Sequence, residues 1–594
     1  MTTSIAAFFD TADRNTRWYS RRRMCGIAAI FAYGAGAEPV RREEIEAINA
    51  RMIPRGPDDG GIWIGGENRV ALASRRLAII DLTPEGAQPL RGVEGDVTIV
   101  FNGEIYNYRE LRARLERRGM KFHSHSDTEV VLQMYRAYGV ECVELLRGMF
   151  AFAIWDEGTR RMFVARDPYG IKPLYFADDG KTFRCASTVK ALLAGGAIPR
   201  TRDAAGAAGF LMLGSVPEPF TIVSAIRAVE AGTSFFVDGN GRGEPRRYYS
   251  IASVFSAARE QETIAHLTTP EILLRERVTE SIDHHLVSDV PIGVFLSAGI
   301  DSATLTALAS ARSGRPLQTI TILFDAFRDR EFNESAGAAA LAESIGAPHT
   351  TRTVTREEFL ADLPKIFEAM DQPTIDGVNT WFISKATAEQ RLKVALSGVG
   401  GDELFGSYPA FRRVPQIRRI ARIPFASRLL RHPKARAIPR LGRTDAGAYL
   451  LTRGLFLPEE IEAGTFNILR HIGQALDVDP GTDFGRVATL EASLYMRNQL
   501  LRDTDWASMA HSVEVRTPLV DAWLLRQLAP LLLAYGSRCK QFFAAAPERP
   551  LPPAITHRPK TGFQTPLREW LDLAPDGTST RMRSWARMVL EEFA

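Results

Sequence analysis

From Cys25 to about Gly239, short runs rich in β-branched and aromatic residues alternate with turn residues, a pattern that predicts strands. The strand candidates are Gly26–Phe31, Leu77–Leu82, Val97–Phe101, Phe150–Trp155 and Met162–Arg166. Ser126-Asp127-Thr128-Glu129 fits a capping box, and Val130, Val131, Met134, Tyr135 and Tyr138 follow at helical spacing until Gly139. The region reads as an α+β domain closed by the turn cluster Asp238-Gly239-Asn240-Gly241. From about Glu271 strand and helix patterns alternate. Gly293–Leu296 leads through a glycine turn into a helix over Ala303–Ser310. Leu317–Phe324 is followed by an alanine-rich helix over Glu334–Ile345, and Val394–Leu396 ends in another glycine-rich turn. Such alternation predicts a parallel sheet with helices on both faces. The remainder, from about Asp402, reads as mostly helical, and no internal repeat is evident.

Length and composition narrow this little. The chain has 594 residues, 45% hydrophobic and 24% charged, with 74 basic and 70 acidic residues, which suits a globular protein of more than one domain. A net charge of +4 makes no demand for nucleic acid or a membrane surface. Between Phe411 and Arg443 there are many arginines and no acidic residue, but four prolines interrupt the stretch and no aromatic ladder accompanies it, so a solvated surface is expected. Cys25, Cys142, Cys185 and Cys539 are too widely spaced for a disulfide framework or a CxxC metal site, and a reducing cytoplasm fits. No apolar run approaches the roughly 18 residues of a membrane span.

Met24-Cys25-Gly26-Ile27 carries the most chemistry. A lone cysteine is more commonly a small buried apolar side chain. If Cys25 became the first residue, however, one carbon would bear a thiol nucleophile and an α-amine able to act as its base. An α-amine, with pKa about 7.7–8.0, is roughly a tenth to a sixth neutral at pH 7, against about 0.04% for a lysine amine. The 23 residues before Met24 end in Arg21-Arg22-Arg23 and lack a secretory pattern. They are expected to reflect a start assigned upstream of Met24, with a removed leader as the alternative. Partners for Cys25 lie downstream. The Asn102 amide and the Gly103 backbone N–H suit an oxyanion, Arg76 a substrate carboxylate, and Asp127 an ammonium. Taken singly, Asp127 is a helix cap, Asn102 a turn residue and Arg76 a surface cation.

In the second domain, Ser297-Ala298-Gly299-Ile300-Asp301-Ser302 follows a strand and opens a helix. Small residues there let backbone approach phosphates at a helix N-terminus. Asp301 would hold Mg²⁺ and Ser302 a phosphate oxygen, although no Walker lysine follows. Ser397-Gly398-Val399-Gly400-Gly401-Asp402-Glu403 repeats the arrangement at the same sheet edge, and Asp402 could take a metal. Lys560, in His557-Arg558-Pro559-Lys560-Thr561-Gly562-Phe563, is a lysine in a chain that prefers arginine, and a mobile cation suits a phosphoryl or acyl transition state.

In this order, these segments resemble the glutamine-hydrolysing asparagine synthetase family from Cys25 to about Leu571. Supporting segments are Asn102–Asn107, Gly148–Ala153, Arg166–Tyr175 and Asp505–Arg516. The resemblance implies an N-terminal-nucleophile αββα sandwich over 25–240 and a linker over 241–270. An α/β parallel-sheet ATP-pyrophosphatase domain with a helical C-terminal part would follow over 271–580, with a tail over 581–594. Cys25 would attack glutamine held by Arg76, Leu77, Ala78, Ile79, Ile80, Asn102, Gly103, Glu104 and Asp127. ATP would contact Leu296, Ser297, Gly299, Asp301, Ser302, Ile322, Ser397 and Gly398, with Mg²⁺ on Asp301 and Asp402. Lys560 would stabilise adenylate formation, and ammonia would cross the interior to an adenylated aspartate. Another carboxylate acceptor, as in envelope-polysaccharide or specialised-metabolite pathways, is the alternative. A β-lactam synthetase-like ring closure would not need the cysteine, and a non-catalytic scaffold would have lost Cys25, Asp301 or Lys560. A homodimer is usual in such enzymes. Four positions depart from the family pattern: Ser74 for histidine, Thr188 for glutamate, Ala298 for glycine, and Val399 for a glutamate implicated in aspartyl-adenylate chemistry. Valine can neither accept a proton nor bind a metal, which points to another base, such as Glu403 or water, or to another acceptor.

Overall fold

The strand Gly26–Ala32 is apolar on both faces, and such a strand must be covered on both. Ile27, Ala29 and Phe31 pack against Val100, Ala151, Ala153 and Val164 between two sheets. Ala28 and Ile30 face the opposite way, under Ile45 and Ile48 of helix Arg42–Arg51 and Val189 and Leu192 of helix Val189–Ala194. A computed structural model of the chain describes residues 25–56, 58–92, 94–260, 269–330, 333–423, 433–461, 464–556, 558, 565–571 and 581–593.

One antiparallel sheet runs in the order Arg227–Ala228, Tyr175–Asp178, Thr182–Ala186, Gly26–Ala32, Val70–Arg76, Asp59–Gly65. The other is centred on Thr233–Asp238, Arg161–Arg166, Gly148–Asp156 and Val97–Ile105. Helices Tyr108–Glu116 and Asp127–Tyr138 cover its outer face, packing with Ile99, Phe101, Phe150 and Phe152. The expected αββα sandwich is the one observed.

Several local expectations are corrected. Leu77–Leu82 is not a strand: the strand is Val70–Arg76, and the chain then turns, with Asp81 at φ 56°. The capping box is incomplete. Ser126 does accept from the Thr128 N–H, but the Glu129 carboxylate takes the His123 and Ser124 N–H groups, at 2.9 and 2.7 Å, instead of closing on its own cap. Between 241 and 260, Arg246–Arg247 pairs with Thr233–Asp238, and Ile251–Ala258 is a helix whose Phe255 packs in the large core with Leu274 and Val278. The segment read as a tail forms a helix, Arg581–Glu592, because Trp585, Ala586 and Val589 share one apolar face that is buried.

The second domain carries a five-stranded sheet in the order His349–Val354, Gln318–Phe324, Ile292–Phe295, Val394–Leu396, Glu514–Arg516, with every pair parallel. The last strand lies in the region expected to be helical. The helix after Ile292–Phe295 starts at Ile300, so Asp301 and Ser302 occupy its first turn.

Charged groups join the domains. Arg55 donates two hydrogen bonds to Asp505, at 2.7 and 3.0 Å, with both side chains only 7% exposed. Removing one member of a buried pair strands the other's charge, so Arg55→Ala is expected to cost about 3–5 kcal/mol. This is read as a fall in the apparent thermal midpoint, and an unchanged midpoint would refute it. The double change of Arg55→Met and Asp505→Leu should cost much less, because no charge is left behind.

Candidate active site

Cys25 immediately precedes the strand Gly26–Ala32, whose pairing with Val70–Arg76 brings Leu77 against the thiol. The Leu77 N–H donates to Sγ at 3.3 Å, the thiol faces the Leu77 carbonyl at 3.7 Å, and Arg55 Nε donates to the Cys25 carbonyl at 3.3 Å. Burial pushes the thiol pKa up to about 12; the Leu77 hydrogen bond and Lys172 pull it down, and Glu514 and Glu104 push it further up.

Asn102, Gly103 and Glu104 end the fully buried strand Val97–Ile105. Ser187 Oγ ties them to the strand that follows Cys25, accepting from the Ile27 N–H at 3.0 Å and from Asn102 Nδ2 at 3.5 Å. Gly103 has φ 153°, and a Cβ there would lie 2.0 Å from the Met149 carbonyl oxygen, so no side chain fits. Asn102 Oδ1 and Glu104 Oε2 are buried without a hydrogen-bond partner among the described residues, and Glu104 lies 3.5 Å from Arg516. Asp127 Oδ2 accepts the Ile105 N–H at 2.9 Å, and burial lifts its pKa to about 6. The Arg76 guanidinium is turned onto the carbonyls of Ile80, Asp81 and Thr83, where it shapes the loop that carries Ile79 and Ile80. Of the departures noted above, Ser74 donates to the Gln88 carbonyl at 2.7 Å and Thr188 caps the helix Val189–Ala194.

The second site is a cavity of about 600 Å³, lined by Leu296, Ser297, Gly299, Asp301, Ser302, Ile322, Ser397, Gly398 and Asp402. All the described nucleotide and metal candidates therefore meet in one place. Ser297 and Ser302 hydroxyls lie 2.8 Å apart, and the Gly299 N–H donates to Ser297 Oγ at 3.2 Å. The two loops touch: a Cβ on Gly401 would meet Asp301 Oδ1 at 2.4 Å, and one on Gly398 the Ser302 nitrogen at 3.0 Å. Only glycines allow that approach. Val399 also lines the cavity, packed partly against the large core. Glu403 accepts from Tyr408 Oη at 2.9 Å, and burial and then Asp402 raise its pKa to about 7. Lys560 lies outside the described residues.

Sequence reasoning missed Lys540. Its ammonium ion-pairs with Asp301 and, at 3.1 Å, with Asp402. The signal used for Lys560, a lysine in a chain that prefers arginine, was equally present here. Asp376, Tyr408 and Tyr495, which line the same cavity, carried no motif.

The two sites lie at opposite ends of the same strands. Val394 shares an apolar cluster with Leu77 and Ile79, whereas Ser397, three residues on, lines the second cavity. At about 3.3 Å per residue, roughly 10 Å of strand spans that interval. The neighbouring strand does the same: Glu514 acts electrostatically on Cys25, and the Arg516 carbonyl accepts the Ser397 N–H at 2.9 Å.

Family comparisons agree with this two-site architecture. Residues 24–249 match a glutamine amidotransferase domain and residues 273–590 match asparagine synthase. The chain is 31% identical to asparagine synthetase [glutamine-hydrolyzing] 1 of Bacillus subtilis, over 96% of this chain and 90% of that protein. It is 32% identical to a putative asparagine synthetase [glutamine-hydrolyzing] of Mycobacterium bovis, over 92% of this chain and 88% of that protein. Among solved structures, it aligns with glutamine phosphoribosylpyrophosphate amidotransferase from B. subtilis at 17% identity, over 55% of this chain and 65% of that one, with a TM-score of 0.28. An αββα sandwich joined to a parallel-sheet domain, together with these matches, makes the chain a member of the glutamine-hydrolysing asparagine synthetase family: an ATP-dependent ligase with a glutamine amidotransferase domain.

Proposed function

We propose that Cys25 releases ammonia from glutamine and that the second site adenylates a carboxylate, which the ammonia then converts to an amide. The observation that carries this reading is the convergence of both glycine loops, Asp301, Asp402 and Lys540 on one cavity, with Cys25 at the other end of the same strands.

In the first site, Cys25 Sγ attacks the glutamine carboxamide while the Asn102 amide and the Gly103 N–H receive the oxyanion; the C–N bond then breaks, the thiol proton leaves with the nitrogen as ammonia, and water hydrolyses the resulting thioester to glutamate and the free thiol. Such donors are worth about 2.7–4 kcal/mol each. Asp127 pairs with the substrate ammonium, and Arg76 binds its carboxylate by turning from the Ile80–Thr83 carbonyls it holds in the free enzyme. Leu77 to Ile80 and Glu104 form the rest of the pocket.

In the second site, an acceptor carboxylate oxygen attacks the α-phosphorus of ATP. The P–O bond to the β-phosphate breaks, and pyrophosphate leaves with the electron pair. Ser297, Gly299, Ser302, Ser397 and Gly398 cradle the phosphates, Leu296 and Ile322 contact the nucleoside, and Lys540 and Lys560 balance growing negative charge. The hard oxygens of Asp301 and Asp402 suit Mg²⁺, which when bound with pyrophosphate neutralises the leaving group. Ammonia then adds to the acyl carbon, the C–O bond to AMP breaks, and the nitrogen loses a proton. A short interior passage keeps ammonia unprotonated.

Aspartate is the acceptor that the family resemblance suggests. The test is a product balance with aspartate and other carboxylates: glutamate, AMP and pyrophosphate should form in equal amounts only when an acceptor is present. ADP and phosphate in their place would overturn the adenylation reading.

A further inference from the structure

The cavity wall also includes Asp376, Asn379, Tyr408 and Tyr495 and, at the end of the second glycine loop, Glu403. These residues form one group: the Tyr408 and Tyr495 rings meet edge to face at 5.7 Å, Tyr408 donates to Glu403, and both Asp376 and Glu403 act on Tyr495 electrostatically. Tyr495 projects from a π-helical stretch, Glu491–Leu501, a winding often found at functional sites.

The charge of this wall is acidic. Asp376 is half-buried, and its described partners are the Gly377 N–H and the Gln499 amide, neither of them a cation. Glu403 is buried, with the Tyr408 hydroxyl as its side-chain donor. Arg453 stacks on both tyrosine rings, at 4.2 and 4.0 Å, but its guanidinium is committed to the fully buried Glu491 through bonds of 2.9 and 2.7 Å. Two described cations, Lys540 and Arg558, line the cavity. Lys540 sits between Asp301 and Asp402, and Arg558 donates to the Asn333 carbonyl. Burial raises the pKa of both Asp376 and Glu403, so a second carboxylate on the acceptor would meet two acidic groups and no uncommitted described cation, whereas an ammonium would favour their charged forms. Val399 adds an apolar contact suited to methylenes where a glutamate would have added a charge.

Resting on the adenylation reading, we propose that the acceptor is a monocarboxylate whose ammonium group is separated from the reacting carboxyl by methylenes, with Asp376 receiving the ammonium; aspartate is then a poor substrate. The measurement is acceptor-dependent ATP–pyrophosphate exchange with 4-aminobutyrate and 6-aminohexanoate, against hexanoate, aspartate and glutamate. The amino acids with a methylene spacer should exceed both dicarboxylates and hexanoate by about tenfold or more. Asp376→Asn should raise their KM by a similar factor and leave that of ATP in place, with folding checked by thermal unfolding. Faster exchange with aspartate, or equal exchange with hexanoate, overturns this acceptor class and leaves the adenylation reading standing. No exchange with any acid overturns both.

Discussion

Cys25→Ser is expected to end glutamine-driven amide formation, with a loss of about 10³-fold or more, while added ammonium salts still support the synthetase half-reaction. Removal of the thiol proton decides this outcome. Burial pushes the Cys25 thiol pKa up to about 12, and the charged groups that act most on it among the described residues are Glu514, Glu104 and Lys172. A carboxylate as buried as Glu104, held well above the ordinary carboxylate range by burial and by Glu514, would be a base in an already acidic cluster. An α-amine on Cys25 itself answers the need, because its pKa lies near neutrality and it sits on the same residue. A second arm follows. Protein whose first residue is Cys25 should hydrolyse glutamine, and protein that retains Met24 in peptide linkage should not. Mass spectrometry of the N-terminus alongside the rates distinguishes the two forms. Equal rates from both would remove the amine from the mechanism.

The outline of the fold was legible because its strongest patterns are local. Gly26–Ala32 and Val97–Ile105 are dense in strand formers, and the two glycine loops follow strands directly, as phosphate-binding turns in parallel sheets do. What failed to show depends on contacts distant in sequence. Leu77–Leu82 has strand composition, yet Arg76 draws the carbonyls of Ile80, Asp81 and Thr83 around itself, and the weaker-looking Val70–Arg76 takes the pairing position beside the nucleophile. Glu514–Arg516 is three residues long and earns its place only from Val394–Leu396, to which it pairs in parallel. Its charges become sensible when Arg516 is seen bonded to Glu514 and set against Glu104 of the other domain. Glu403 and Tyr408 are close in sequence, but their role as a wall depends on Tyr495, from the π-helical stretch, and Asp376, from the loop before helix Val378–Glu389. A helix-borne lysine such as Lys540 has no local signature, because its partners lie 239 and 138 residues away.

That lysine supports the other large expectation. Lys540→Met should lower acceptor-dependent ATP–pyrophosphate exchange by about 10²–10³-fold while glutamine hydrolysis at Cys25 continues. Burial alone would pull the lysine's pKa down; Asp301 and then Asp402 more than offset this, so it stands above its ordinary value and the ammonium stays charged. The cation is thus preorganised between the two loops that would hold the phosphates, and it needs no reorganisation when charge develops on departing pyrophosphate. Methionine keeps much of the side-chain volume and removes the charge, leaving two like-charged carboxylates facing the same phosphates. Lys540→Arg is not expected to restore the rate, since a planar guanidinium cannot replace a compact ammonium between two carboxylates whose loops approach this closely. Raising Mg²⁺ should leave the deficit largely in place, because a metal held by Asp301 and Asp402 occupies the carboxylates rather than the position of the ammonium. Exchange at the unaltered rate in Lys540→Met would show that Lys540 merely holds the free enzyme's loops together, and the charge-balancing role would then fall to other residues.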